Sequence, residues 1–235
     1  MSKVEDVLFI SENGEEDTRE RGIRQARDYL EMAQLYNAAI REVSTKLEIL
    51  DAEFSVRHDH NPIHHIDSRL KSVPSILEKL QRKGKALTIA SARENLLDIA
   101  GVRVICNYVD DIYHIAELLC AQDDIRLIRR TDYIEMPKEN GYRSLHLVIS
   151  IPVFLSKGAV SVPVEVQIRT IAMDFWASLE HRIRYKSDAE TKDDAALRAE
   201  LKACAEESAA LDLRMQTLYR RLQGNATEDD TVLNR

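Results

Sequence analysis

The stretch Asp132–Leu147, with the sequence DYIEMPKENGYRSLHL, constrains the fold of this chain most, because a turn in it leads directly into a strand. Pro137 interrupts any helix that approaches the turn, and Asn140-Gly141 is a dipeptide typical of tight turns. From Leu145 onward, apolar residues recur at every second position, which is the period of a half-buried strand. The sequence therefore predicts a loop that ends where a sheet begins.

This loop carries residue types that suit nucleotide binding. Lys138 offers a mobile cation for phosphate, and Tyr142 offers a flat ring on which a base can stack. Asn140 provides a paired donor and acceptor, and His146 provides a ring nitrogen on the strand. A polar hairpin loop with a surface tyrosine and lysine would carry the same residues. A nucleotide pocket here therefore needs support from other segments.

Strands and helices alternate through the middle of the chain, which predicts an α/β domain. The predicted strands are Val102–Cys106, Ile125–Arg130, Leu145–Ile151 and Val162–Ile168. A helix from Ile112 to Cys120, capped by Asp110, separates the first two strands. Asn95–Gly101 is predicted to end an earlier helix, which places Asp98 at the edge of the sheet.

The last predicted strand carries polar residues on one face. Glu165 and Gln167 alternate with Val164, Val166 and Ile168, so the carboxylate and the amide share the side opposite the apolar residues. A carboxylate in the middle of a strand is costly to bury unless it binds something. The alternative interpretation is the solvent-facing side of an antiparallel sheet.

A short helix after Ser72 has a basic face. Ser72 can cap this helix, Pro74 fits its first turn, and Gly84 ends it. Polar positions spaced four, four and three residues apart share one helix face, and they are Lys71, Ser75, Lys79 and Arg82, with Arg69 just ahead. Residues 69–85 hold six basic side chains and one acidic one, in a chain of net charge -7. This row suits a bound polyphosphate, although a solvated cationic face would have the same pattern.

A histidine-rich segment precedes the basic helix. It contains His58, His60, His64 and His65, and His58-Asp59 resembles the paired ligands of metal-dependent phosphohydrolases. Such a site needs further ligands from separate helices and an open coordination position. Pro62 and the short spacing instead predict a connecting loop with solvated histidines.

Long helices are predicted at both ends of the chain. Thr18–Phe54 has apolar residues at helical spacing and no proline, which predicts one amphipathic helix. Near the C-terminus, apolar or small residues repeat at alternating steps of four and three: Leu197, Leu201, Cys204, Ser208, Leu211, Met215, Leu218 and Leu222. We call this set the C-terminal seam. It needs a partner, which is either the N-terminal helix or another copy of the chain.

Composition excludes several classes of protein. The net charge of -7 argues against a protein that coats nucleic acid, so nucleic acid is not a required partner. Three widely spaced cysteines, Cys106, Cys120 and Cys204, suggest neither a disulfide framework nor a zinc site, and a reducing cytoplasm fits them. No apolar run approaches the roughly 20 residues of a membrane span. We expect a cytoplasmic protein with no membrane contact.

Four segments in series resemble a known family. They are SRLKSVPSILEKLQRK, LLDIAGVRVI, DYIEMPKENGYRSLHL and VEVQIRTIAMDFWASLEH. Their order closely resembles the synthetase domain of the RelA/SpoT alarmone enzymes, specifically the small stand-alone synthetases, over about residues 55 to 186. The resemblance implies an α/β (α+β) nucleotidyltransferase-like fold, in which helices flank a mixed sheet. It also implies transfer of the β,γ-pyrophosphate of ATP to the 3′-hydroxyl of GDP or GTP, which yields ppGpp or pppGpp and AMP in the stringent response.

On the donor side, the resemblance implies a role for each matching residue. Arg69 and Arg103 hold the adenine ring between their guanidinium planes. The ATP phosphates are contacted by Lys71, Ser75, Lys79 and Arg82. Mg²⁺ is held by Asp98 and Glu165, and Glu165 also activates the 3′-hydroxyl.

On the acceptor side, the resemblance implies that Tyr142 stacks on guanine, Asn140 lies near the guanine edge and Lys138 meets the phosphates. The site is completed by Tyr133, His146 and Gln167. One departure is visible, because the family often has a basic residue immediately before the Asp-Tyr pair of the loop, where this chain has Thr131. Arg129 or Arg130 is a candidate substitute.

The resemblance also suggests a division of the chain. We expect a flexible arm at 1–17, the synthetase domain at 18–190, an oligomerisation helix at 191–223 and a flexible tail at 224–235. Stand-alone relatives form homotetramers, so a tetramer is expected, with no room for the hydrolase domain of the long relatives. Two alternatives are a pyrophosphokinase that acts on the 3′ end of tRNA and a non-enzymatic regulator that binds guanine nucleotide or RNA.

Overall fold

The computed structural model describes the backbone of residues 15–186 and 195–224, with side chains in 22–183 and 195–224. The helices and strands, in chain order, are α1 (Glu15–Arg57), β1 (Ile63–Leu70), α2 (Val73–Arg82), α3 (Ile89–Asn95), β2 (Ala100–Cys106), α4 (Val109–Cys120), β3 (Arg126–Asp132), β4 (Leu145–Leu155), β5 (Gly158–Thr170), α5 (Ile171–Lys186) and α6 (Ala195–Leu222). The predicted tail, apart from Gly224, and most of the predicted arm lie outside the described residues. None of the described helices combines the length and hydrophobicity needed to cross a membrane.

The five strands form one mixed sheet in the order β1-β2-β5-β4-β3. Only the β2–β5 pair is parallel, and the other three pairs are antiparallel. Each of the four predicted strands is present, and β4 and β5 extend beyond the prediction into a long hairpin. The expected mixed sheet flanked by helices is therefore confirmed.

The two faces of the sheet differ in character. On one face, apolar side chains of β2, β4 and β5 are buried beneath α1 and α4. The side of α1 that packs here includes Met32, Val43 and Leu47, all of which are almost fully buried. Each such side chain stabilises the fold by about 1.5–3 kcal/mol. The opposite face carries the polar residues of the same strands, and it is the face on which a site can form.

The histidine-rich segment was wrongly predicted to be only a connecting loop. Ile63–Leu70 is strand β1, which pairs antiparallel with β2 at the edge of the sheet. Most of its side chains are exposed or half-buried, so it lacks the regular apolar alternation that marks a strand in sequence. His60 is the histidine held most firmly, because its Nε2 lies 2.9 Å from Asp111 Oδ1.

Two helix ends also differ from the prediction. Helix α3 ends at Asn95, and Asp98 follows it in the connection to β2. Helix α4 begins at Val109, and the carboxylate of Asp111 accepts a hydrogen bond from the backbone N–H of Tyr108. Asp110 therefore lies inside the first turn, where it pairs with Arg220 instead of capping the helix.

Among the described residues, helix α6 packs mainly against α5 and α4 rather than against α1. Its buried face contains Ala205, Asp212 and Gln216 rather than the C-terminal seam. Polar partners stabilise this arrangement, because Thr170 Oγ1 donates to Asp212 at 2.5 Å and Gln216 Oε1 accepts from the Asp110 N–H at 3.0 Å. The C-terminal half of the seam is left at the surface.

Candidate functional site

The polar face of the sheet brings together residues from four strands. Backbone pairing places Gln167 beside Arg103 on one side and beside His146 on the other. Arg103 in turn pairs with Asp67 of β1. Paired residues point to the same face of a sheet. Glu165 lies two residues before Gln167 on that face, so the sequence-predicted groups of both substrate sides converge here.

Asp98 lies between two lysines at the start of β2. Lys71 Nζ and Lys79 Nζ donate to its Oδ2 at 2.9 and 2.6 Å. Burial would raise the pKa of Asp98, but the hydrogen bonds and charges of Lys79 and Lys71 outweigh burial and lower it below the ordinary value. The Oδ1 atom is buried and has no hydrogen-bond partner among the described residues. Asp98 is therefore ionised, with one oxygen available for a cation.

Glu165 is the second acid of the site. Gln167 Nε2 donates to its Oε2 at 2.8 Å, and His146 Nδ1 lies 3.6 Å from its Oε1. Burial would raise the pKa of Glu165, but His146 and Gln167 outweigh burial and lower it. Glu165 and Asp98 line the same narrow cleft and interact electrostatically. Carboxylate oxygens are ligands that Mg²⁺ prefers, so this pair could hold a divalent cation.

Helix α2 presents only part of its basic row to the acids. As predicted, Ser72 caps the helix, because its Oγ accepts from the backbone N–H of Ser75. Lys71 and Lys79 reach Asp98, whereas the hydroxyl of Ser75 accepts from Ser72 Oγ at 3.0 Å. Arg82 is exposed in the last turn of α2. Of the four predicted phosphate contacts, Lys71 and Lys79 thus bond to Asp98. The other two, Ser75 and Arg82, lie along the helix and, in the described part of the chain, make no hydrogen bond to Asp98 or Glu165.

Tyr142 lies at the centre of an aromatic cluster formed with Tyr133 and His146. Its hydroxyl accepts from Arg169 at 2.7 Å and lies 2.9 Å from His146 Nε2. The other ring nitrogen of His146, Nδ1, lies 3.6 Å from Glu165 Oε1. His146 thus lies between the ring that is predicted to stack on guanine and the carboxylate that is predicted to activate the 3′-hydroxyl.

Within the chain, Lys138 contacts two aromatic rings and Asn140 contacts the loop and helix α5. The ammonium of Lys138 lies 4.6 Å from the ring centres of both Tyr133 and Tyr142, which is cation–π distance. Asn140 accepts from the backbone N–H of Tyr142 and donates to Glu180 Oε1 at 3.4 Å. Lys138 is therefore placed beside the predicted base platform, and Asn140 joins the loop to α5.

The tight turn of the loop touches α6. Gly141 has φ of +89°, and a Cβ added there would lie 2.6 Å from the Cβ of Ala205. Arg143 reinforces the contact, because it donates to the backbone carbonyls of Gly141 and Ala205. Helix α6 thus supports the loop that carries Tyr142, which the sequence did not reveal.

We expect Gly141→Ala to lower the free energy of unfolding by about 2–5 kcal/mol, because a left-handed backbone costs a residue with a Cβ about 1–2 kcal/mol and the collision with Ala205 costs about 1–3 more. Urea denaturation measures this loss. Gly84→Ala is the matched control, since Gly84 has φ of +63° and open space around its Cβ position. Equal losses in the two variants would contradict the contact with α6.

An open cleft of about 420 Å³ connects the two predicted substrate sides. Its wall includes the predicted adenine clamp, Arg69 and Arg103, and the predicted acceptor residues Tyr142 and Gln167. The predicted adenine and guanine contacts therefore open into one space.

Several lining residues were missed by the sequence analysis. Arg169 is 5% exposed and bonds to Tyr142 and Gln167, although the predicted strand stopped one residue earlier. The two-residue period of Glu165 and Gln167 could have identified it. Helix α5 contributes Asp174, which pairs with Arg169, and further residues of the cleft wall, including Glu180. No charge pattern in the sequence marks these helical positions.

Comparisons with known proteins give one consistent result. The family model described as "Region found in RelA / SpoT proteins" matches residues 68–190. The chain is 47% identical to GTP pyrophosphokinase YwaC of Bacillus subtilis over 77% of this chain and 85% of that protein. It is 39% identical to GTP pyrophosphokinase YjbM of the same organism, over 80% of this chain and 87% of that protein.

Solved structures agree with the sequence matches. The small alarmone synthetase 2 of Bacillus subtilis superposes with a TM-score of 0.74 at 43% identity, covering 83% of this chain and 99% of that one. The small alarmone synthetase 1, bound to its product pppGpp, superposes with a TM-score of 0.72 at 36% identity, covering 80% and 94%. Together with the acid pair and the shared cleft, these matches establish that the chain belongs to the RelA/SpoT family, among its small alarmone synthetases.

Proposed function

We propose that this chain is a (p)ppGpp synthetase that transfers the β,γ-pyrophosphate of ATP to the 3′-hydroxyl of GDP or GTP. The observation that carries the proposal is the shared cleft, in which the adenine-clamp candidates and the acceptor candidates face one another beside Asp98 and Glu165. The relatives named GTP pyrophosphokinase support the same reaction. Three free thiols among the described residues fit a cytoplasmic location.

On the donor side, Arg69 and Arg103 are the proposed adenine contacts. Lys71 and Lys79 lie where the phosphates would pass Asp98, and the rest of the row, Ser75 and Arg82, extends along α2. Phosphoryl transfer depends on positioning and on neutralising negative charge, which fixed ammonium and guanidinium groups supply. Asp98 and Glu165 would hold Mg²⁺, which when bound neutralises charge on the transferred phosphates.

On the acceptor side, Tyr142 is the proposed stacking platform, with Tyr133, Lys138, Asn140, His146 and Gln167 around it. Glu165 has a lowered pKa and is ionised at neutral pH, so it can take the proton of the 3′-hydroxyl. The 3′-oxygen then bonds to the β-phosphorus as the bond to the bridging oxygen of the α-phosphate breaks. AMP leaves with that oxygen, and His146 holds the charged Glu165 in place.

We propose Arg129 as the residue that compensates for Thr131. Thr131 pairs with His146, so both lie on the polar face, and Arg129 lies two residues earlier on the same strand. Arg130 points to the opposite face, where its guanidinium lies over the ring of Tyr113 at 5.7 Å. Arg129 is therefore the better placed of the two for a phosphate of the acceptor.

The reaction is tested by mixing the protein with ATP, Mg²⁺ and either GDP or GTP. We expect AMP and a guanosine nucleotide that carries pyrophosphate on its 3′-oxygen. AMP that forms only with tRNA as acceptor would favour the tRNA pyrophosphokinase, and the acidic chain offers little attraction to nucleic acid. Nucleotide binding without any AMP would indicate a non-enzymatic regulator.

We also propose that the chain forms a homo-oligomer, most simply a tetramer, through the segment 191–223, with 18–190 as the synthetase domain. Leu211 and Leu218 of the C-terminal seam are each 53% exposed, and Met215 and Leu222 continue this apolar surface. Helix α5 adds a second exposed row at every fourth residue, namely Ile171, Phe175, Leu179 and Ile183. Exposed apolar surface of this extent is typical of protein interfaces.

We expect Leu211→Asp with Leu218→Asp to reduce the oligomer to a smaller species in light scattering, because two charges would be buried in the interface. Leu87→Asp is the control, since Leu87 is also exposed but lies in the connection before α3. A monomeric wild-type protein would end the proposal. An unchanged mass for a folded double variant would show that the interface lies elsewhere.

A further inference from the structure

Two arginines of the cleft share one carboxylate oxygen. Asp174 lies in the first turn of α5, and its Oδ1 is 3.2 Å from Arg169 Nη1 and 3.5 Å from Arg103 Nη1. Arg103 stands on β2 and Arg169 at the end of β5. A single atom of Asp174 therefore links two strands that face different parts of the cleft.

Arg169 needs this counter-charge. It is 5% exposed, and burial lowers its pKa, as does the nearby charge of Arg103. Two guanidinium groups at close range repel each other, and the buried Arg169 has little contact with the water that would screen this repulsion. Asp174 thus allows the two arginines to approach each other.

Arg169 contacts predicted acceptor residues, whereas Arg103 is itself a predicted donor residue. Arg169 Nη2 donates to the Tyr142 hydroxyl at 2.7 Å and to Gln167 Oε1 at 2.5 Å. Arg103 lines the cleft together with Arg69. The route from one side to the other is short: Arg103, Asp174 Oδ1, Arg169 and the ring of Tyr142.

We propose that Asp174 is a positioning residue that couples the two nucleotide sites, so that a nucleotide held against Arg103 favours binding of a guanine nucleotide on Tyr142. This inference rests on the proposed function, because it uses the donor and acceptor sides assigned there. The 3.5 Å contact of Arg103 is long for a charged hydrogen bond, and the Nε atoms of Arg103 and Arg169 are buried without a hydrogen-bond partner in the part of the chain that the structure describes. A nucleotide that orders Arg103 also fixes Asp174 Oδ1. Less conformational entropy is then lost when the second nucleotide orders Arg169 and Tyr142.

The test measures GDP binding by calorimetry with and without an ATP analogue that has a methylene group between its α- and β-phosphates. This analogue cannot react, because the bond that breaks is replaced. For the wild-type protein we expect GDP to bind about 10-fold more tightly when the analogue is present, within the usual range of coupling between sites. By linkage, GDP should tighten analogue binding by the same factor.

Asp174→Asn should reduce this coupling factor to less than about twofold. It should also weaken the binding of each nucleotide measured alone, because the substitution removes the charge that holds both arginines. Arg169→Lys should weaken GDP binding while leaving the affinity for the analogue alone unchanged, since the single nitrogen of lysine cannot occupy both the Nη1 position that bonds to Asp174 and the Nη2 position that bonds to Tyr142 and Gln167. Asp110→Asn is the matched control, because Asp110 also pairs with an arginine. Its Oδ2 lies 2.6 Å from Arg220 Nη2, and this pair does not line the cleft. This substitution should leave both affinities and the coupling factor unchanged.

A purely structural role for Asp174 predicts a lower melting temperature with the coupling factor preserved, and that result would overturn the proposal. An uncoupled wild-type protein, or an Asp174→Asn variant that loses affinity for one nucleotide only, would also overturn it. Failure of the proposed function would appear separately, as an absence of AMP when the wild-type protein is mixed with ATP and GDP. Coupled binding in a protein that forms no AMP would leave the link between the sites standing and reject the reaction.

Discussion

Glu165→Gln is expected to lower the rate of AMP formation by about 10²–10⁴-fold, the usual contribution of a general base. The amide keeps the shape of the side chain but can neither accept the 3′-hydroxyl proton nor bind Mg²⁺ as strongly. Guanine nucleotide should still bind, because Tyr142 and Lys138 are unchanged and lie on the neighbouring loop. The two measurements are the initial rate with ATP and GDP and calorimetric binding of GDP alone.

Glu117→Gln provides the control for this experiment, because Glu117 is exposed on α4, away from the polar face. It should retain the full rate. Loss of GDP binding in Glu165→Gln would contradict the assignment, since Glu165 would then organise the pocket instead of serving the chemistry. A rate close to that of the wild-type protein would remove Glu165 as the base.

Asp98→Asn is expected to lower the rate by at least about 10²-fold, for a different reason. The change leaves Lys71 and Lys79 facing a neutral amide and removes the carboxylate whose Oδ1 is available for a cation. We therefore expect the variant to need a higher Mg²⁺ concentration for its residual activity, while GDP binding persists. A titration of rate against Mg²⁺ measures this shift.

The control for Asp98→Asn is Asp124→Asn, because Asp124 pairs with Lys46 at 2.8 Å in another part of the molecule. It should leave the Mg²⁺ dependence unchanged. If Asp98→Asn lost guanine nucleotide binding, Asp98 would be a structural residue of the sheet edge. If it lost rate with an unchanged Mg²⁺ dependence, the proposed metal contact would be wrong.

The sequence predicted the interior of the sheet well, because a strand with one buried face alternates apolar and polar residues and a strand buried on both faces is a short apolar run. The pattern around Glu165 and Gln167 identified both the strand and its polar face, and the structure has both. Strand β1 was missed because it lies at the sheet edge, where most side chains reach solvent and polar residues are tolerated on both faces. Its identity depends on hydrogen bonds to β2, which no local pattern records.

Helix α6 illustrates a different limit. Its apolar spacing correctly predicted a helix, but the face buried within the chain carries Asp212 and Gln216. These polar groups are buried because Thr170 and Asp110 supply their hydrogen bonds. Sequence spacing identifies the apolar stripe of a helix, whereas tertiary partners decide which stripe packs inside one chain.

The candidate site was predictable where residues share one element and less so where elements meet. Helical spacing predicted that Lys71 and Lys79 lie together, and both contact Asp98, although Lys71 precedes the N-cap Ser72 and therefore lies outside helix α2. Arg169 and Asp174 could not be placed together in this way, because their contact depends on how α5 leaves the end of β5. The residues that connect the two substrate sides therefore emerged only from the fold.

The most direct test of the central claim follows the β-phosphate of ATP through a single turnover. With label on that phosphorus and GDP as acceptor, we predict unlabelled AMP and an equal amount of guanosine nucleotide labelled on the phosphate bonded to its 3′-oxygen. Label in ADP or in free pyrophosphate, or label attached through the 5′-phosphates of the guanosine product, would contradict the proposed pyrophosphate transfer.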